Sequence, residues 1–164
     1  DLASVIAYIK SVPPADHIQS KSSLSLTGRA VMTLVPAITF IPAELIPMDA
    51  PRPIAPEVGV TVEYGEYLTY SCKVCHGLTM SGGVIPGFPS DWPPAPNITW
   101  GAGSSLPAWE EADFIHFIRT GMRHGSQVDA KYMPWSSYKF MNDDELRAVW
   151  LYLQSLPKLN YRNR

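Results

Sequence analysis

Apolar residues recur at helical spacing near the end of the chain, where Leu146, Val149 and Tyr152 lie between Asn142 and Pro157. Asn142 is placed to cap this helix, with Glu145 three positions on as its reciprocal partner. A second helix is predicted over Trp109–Arg119. Its apolar face holds Phe114, Phe117 and Ile118, and Glu110, Glu111 and Asp113 lie near its positive N-terminal end. Tyr64–Cys75 reads as a third. Between them, 77–105 and 121–141 are rich in Gly, Pro and Trp and read as loops. No stretch alternates as a strand would, so the predicted class is all-α with long loops.

The first helical segment repeats the last. Asp1–Pro13 aligns on Glu145–Pro157, with Leu2, Val5, Tyr8, Ser11 and Pro13 recurring as Leu146, Val149, Tyr152, Ser155 and Pro157. Either two amphipathic helices converge on common residues, or residues 1–13 close an upstream domain of the same kind. Residues 14–60 hold seven prolines and few charges and read as a linker, with one short helix expected near Gly28–Leu34. The organisation expected is thus 1–13, a closing or stand-alone helix; 14–60, a Pro-rich linker lying along the domain surface; 61–157, the main domain; and 158–164, a tail.

Composition narrows the function. A net charge of −2 gives no reason to expect nucleic acid or an anionic membrane surface as partner. The longest apolar run, Ala30–Pro42, contains two prolines and falls short of a membrane span, so any membrane contact is expected through other parts or subunits. The chain opens at Asp1 in a helical pattern rather than in that of a secretory leader. Its only two cysteines stand three positions apart, which excludes a disulfide framework.

Those cysteines carry the chemistry. Cys72-Lys73-Val74-Cys75-His76 matches the attachment pattern for haem c. Two thiols on one helical turn can add to the two vinyl groups along one porphyrin edge, and the adjacent imidazole then reaches the iron. A thioredoxin-like dithiol would need a βαβ context, and a zinc site a second ligand pair; neither is evident. One covalent haem c is therefore expected, with Cys72, Cys75 and His76 holding it.

For the other axial position Met133 is the leading candidate: Pro134 keeps it out of a helix, and a thioether suits ferrous iron. His124, in the same loop, would give bis-histidine ligation. Met122 and Met141, beside helix ends, are weaker rivals, Met80 is too close to His76 in sequence to get round the ring edge, and an open site is the remaining alternative. Pro96, or else Pro94, is a candidate for the carbonyl that receives the free imidazole N–H. Trp92, Trp100, Trp109, Tyr132, Trp135 and Tyr138 offer apolar faces with polar tips, and Arg119 could pair with a haem propionate.

With these residues assembled, Tyr64–Pro157 resembles class I cytochrome c domains. It is similar in particular to those of the multi-haem cytochrome subunits of bacterial periplasmic alcohol and sugar dehydrogenases. The matching pieces are Tyr64-Gly65-Glu66-Tyr67-Leu68, the Cys72–Gly77 stretch, Asn97-Ile98-Thr99, Trp109-x-Glu111-x-Asp113-Phe114, Arg119-Thr120-Gly121, Met133-Pro134-Trp135 and Asp143-Asp144-Glu145-Leu146 leading to Pro157. The resemblance implies a cytochrome c fold, with N- and C-terminal helices crossing at Gly65 near Tyr152, and Met133 as axial ligand. It implies that 1–13 ends a preceding domain of the family. Glu110 stands where the family often has Ser or Thr, so the helix there is expected to start earlier, near Pro107.

The function expected is electron transfer rather than catalysis, in a periplasmic or other extracytoplasmic setting, possible membrane association included. Redox partner proteins act as donor and acceptor, and the chain is expected to be a subunit of a larger complex. A haem protein with an open, ligand-binding or peroxidase-like site is the alternative, although no distal acid–base pair is evident.

Overall fold

The computed structural model describes residues 2–16, 23–34, 46–51 and 53–162. They divide into two units, Asp1–Arg52 and Pro53–Arg164. In the first, the helices are α1 (Leu2–Ser11) and α2 (Leu26–Leu34). Helix α2 begins two residues before the expected Gly28, with the Ser25 hydroxyl accepting the Gly28 N–H at 3.1 Å. The apolar run beyond it, residues 35–42, lies outside the described residues. Among those described, no helix is long and apolar enough to cross a membrane.

The second unit holds α3 (Val62–Leu68), α4 (Lys73–His76), α5 (Glu111–Thr120), α6 (Trp135–Tyr138) and α7 (Asp143–Ser155). Thr61 caps α3, its hydroxyl accepting the Tyr64 N–H at 3.2 Å. The predicted Tyr64–Cys75 helix is broken: Thr69–Ser71 tightens to a 3-10 turn, with the Thr69 hydroxyl bonded back to the Glu66 carbonyl at 2.9 Å. Asn142 and Glu145 form their reciprocal cap on α7, at 2.9 and 2.8 Å.

Two expectations need correction. Helix α5 does not start near Pro107. Leu106–Ala108 is a separate 3-10 turn, Trp109 is extended, and the Asp113 carboxylate accepts the Glu110 N–H at 2.9 Å, setting the helix start at Glu111. Nor is 121–141 all loop. Met122–Arg123 (β1) pairs antiparallel with Ser126–Gln127 (β2) around His124 and Gly125, which both have positive φ, the backbone of a tight hairpin. A period too short to register in a sequence pattern hid this hairpin and α6.

Helix α7 is the spine of this unit. Leu146, Val149, Trp150 and Leu153 are buried against Leu106 and against Phe114 and Ile118 of α5, with Phe114 stacked on Trp150. On its other side α7 crosses α3 at Gly65. A methyl there would fall on the Ala148 carbonyl and 2.8 Å from Tyr152 Cβ. We expect Gly65→Ala to lower stability by about 1–3 kcal/mol in denaturant unfolding. Gly59→Ala, where the nearest atom stands 4.0 Å away, serves as the neutral control.

Candidate cofactor site

The loops between these helices enclose a cavity of ≈ 350 Å³. Cys72, Cys75 and His76 line it together with apolar side chains from every part of the unit, among them Leu68, Ile98, Phe114, Phe117, Val149 and Leu153. The chain folds so locally because α4 is a single turn: it starts from Cys72 and ends at Gly77, which brings the two sulfurs and the imidazole to one wall. Lys73, between the cysteines, is drawn back onto Glu66 at 3.1 Å and lies over the Tyr152 ring. Burial would push its ammonium down, but Glu66 and Tyr152 outweigh that and hold it above its ordinary value.

His76 is 6% exposed, and its Nδ1 lies 2.9 Å from the Pro96 carbonyl oxygen. A carbonyl can only accept, so Nδ1 carries a proton, and in the neutral ring the lone pair then falls on Nε2, the tautomer a metal ligand needs. The thiols form no disulfide. Burial pushes the Cys72 thiol up to about 11, against the lowered value of a redox-active dithiol.

The sequence profile of the cytochrome c family matches residues 62–157, more than half of the chain. The chain belongs to the cytochrome c family. It is accordingly a haem-binding electron-transfer protein with the mostly helical architecture of that fold. Among curated proteins no match is found.

The cavity of this cytochrome fits the group. Its lining is overwhelmingly apolar, it presents two thiols and an imidazole of fixed tautomer, and Met133 and Met141 both reach it.

Of the residues expected around the site, Pro94, Pro96, Trp109, Tyr132 and Tyr138 line the cavity, and Tyr138 also bonds Ser71 at 3.2 Å. Others stand outside the lining. Met80 is fully buried elsewhere, and His124 is at the hairpin tip beside a separate groove shared with Met122. Trp100 packs edge-on against Trp150. Trp92 stands edge-on to Tyr132. Trp135 supports the Met133 segment from behind, its indole donating to the Val128 carbonyl at 2.8 Å, while a tight turn at Pro134 bonds Trp135 N–H to the Met133 carbonyl.

Arg119 is occupied with the Asp143 carboxylate at 2.7 Å and with the Lys139 carbonyl, stapling the end of α5 to the start of α7. Arg123, which sequence reasoning passed over, is the arginine on the cavity wall. Only the hairpin that carries it could have signalled this. We expect Arg119→Met to lower the unfolding midpoint by an amount equivalent to about 1 kcal/mol or less while leaving the visible spectrum of the holoprotein unchanged.

Proposed function

We propose that this chain carries one covalent haem c on Cys72 and Cys75, ligated by His76 and Met133, and works as an exported one-electron carrier within a larger redox assembly. The observation that carries the reading is the shared cavity wall of Cys72, Cys75 and His76, with Met133 in the same lining. Bound there, haem supplies a one-electron iron couple.

The residues do the rest. Cys72 and Cys75 would hold the group through thioether bonds to its two vinyl groups, each addition placing sulfur on one vinyl carbon and the thiol proton on the other. The Pro96 carbonyl orients the His76 ring and raises its basicity. The Met133 thioether favours the ferrous state, as does an apolar lining that disfavours added charge. Nothing in electron transfer calls for a general acid or base, and among the described residues the lining offers no carboxylate. Of the two thioethers in the lining, Met133 is preferred over Met141. It stands in the Met133-Pro134-Trp135 piece that resembles the family, and Trp135 braces that segment through its indole bond to the Val128 carbonyl at 2.8 Å; the backbone N–H is bonded in both cases, to the Asp129 carbonyl at 3.2 Å for Met133 and to the Tyr138 carbonyl at 3.0 Å for Met141.

The assembly is read from α1. Its residues Leu2, Val5 and Tyr8 are exposed, whereas the matching Leu146, Val149 and Tyr152 of α7 are buried. On this reading α1 closes an upstream cytochrome domain, as in the multi-haem subunits of periplasmic alcohol and sugar dehydrogenases, and electrons pass to redox proteins of that complex.

Visible spectroscopy tests the ligand. Ferric wild-type protein should show the weak far-red charge-transfer band of thioether ligation. Met133→Ala should abolish it and admit carbon monoxide to the ferrous form, and Met141→Ala should leave it intact. A wild type without the band that binds carbon monoxide readily would point instead to an open site.

A further inference from the structure

We propose that residues 158–162, beyond the family match, are a strap that holds the Pro96–Gly103 loop, so that Asn97, Thr99 and Leu159 act as positioning residues for the His76 imidazole. The inference rests on His76 as axial ligand.

Asn97 follows the carbonyl that holds His76, and it is 1% exposed. Its Nδ2 donates to the carbonyls of Ala102 at 3.1 Å and Leu159 at 2.9 Å, and its Oδ1 accepts the Thr99 N–H at 2.8 Å. Thr99 is fully buried. Its hydroxyl proton is within reach of Asn97 Oδ1 at 2.8 Å and Leu159 O at 3.1 Å, while its oxygen accepts the N–H of Leu159 at 3.2 Å and of Gly101 at 3.3 Å.

The strap continues outward. Tyr161 N–H donates to the Ala102 carbonyl and Arg162 N–H to the Ser81 carbonyl, at 3.2 and 3.1 Å. Ser81 itself is in the segment that leaves His76, where Gly82 N–H bonds the His76 carbonyl at 2.9 Å. Gly101 marks the close approach: a methyl there would collide with the Leu159 carbonyl and lie 2.7 Å from its nitrogen.

Almost every strap contact is made by its backbone, so chain continuity from α7, rather than side-chain identity, transmits the constraint. A buried network of this kind, satisfied at each polar atom, fixes one arrangement of the loop and with it the direction of the Pro96 carbonyl. Loosening it weakens the bond from Nδ1, makes the ring a poorer donor to iron, and favours the ferrous state.

The test uses the haem-loaded protein. At an ambient potential that holds the wild type half reduced, Thr99→Val and Gly101→Ala should raise the ferrous-to-ferric ratio by roughly threefold or more. Both should also speed solvent exchange of the His76 ring N–H, followed by its paramagnetically shifted proton resonance. Thr99→Ser, which restores the hydroxyl, and Leu159→Ala, which keeps the backbone, should match the wild type. Tyr161→Pro, which deletes the outer bond to Ala102 together with the ring that lies beside Gly103 and under Arg162, is compared with Tyr161→Ala, which loses the ring alone; relative to that variant it should move both readouts the same way as Thr99→Val by less, and it stands in if a stronger variant fails to mature. If Thr99→Val and Gly101→Ala lose stability while ratio and exchange stay at wild-type values, the strap is structural only and the proposal falls. A wild type with no shifted imidazole N–H at all would bring down the ligation reading along with it.

Discussion

The hydrogen bond between His76 and the Pro96 carbonyl joins the two sides of the site. His76 comes from the helical turn that carries the cysteines, and Pro96 from a loop twenty residues on. Once the ring is pinned, its proton is assigned, its lone pair is assigned, and the turn behind it must stay where α3 and α7 leave it. Gly65 makes that possible by letting the backbone of α3 lie on Ala148. Lys73 returns to Glu66 and ties the same turn to the same helix. Local hydrogen bonding and global helix packing thus meet at one imidazole.

The parts legible in the sequence are those whose meaning is local. Cys72–His76 is readable because three reactive groups on one turn have few other uses, and the structure puts all three on the cavity wall. The cap of α7 is readable because Asn142 and Glu145 satisfy each other three residues apart. The Gly65 crossing came only through family resemblance, since the partner lies over eighty residues away.

What stayed hidden depends on contacts distant along the chain. Arg119 looked available for a propionate, but its partner Asp143 is 24 positions on. Trp135 looked like a pocket wall and is a brace, because Val128 is near enough to receive its indole proton. Residues 158–162 looked like a tail, yet their backbone closes on a loop sixty residues earlier. The hairpin at Met122–Gln127 is too short to produce any pattern, and it is what brings Arg123 to the cavity.

The central claim is covalent attachment at the Cys72–His76 turn, and mass spectrometry of the denatured holoprotein addresses it most directly. The account predicts a mass equal to polypeptide plus one haem, with the added mass and the visible absorbance on the proteolytic fragment containing both cysteines. A polypeptide at its bare mass, with colour extracted into acid–acetone and two titratable thiols left behind, would contradict it.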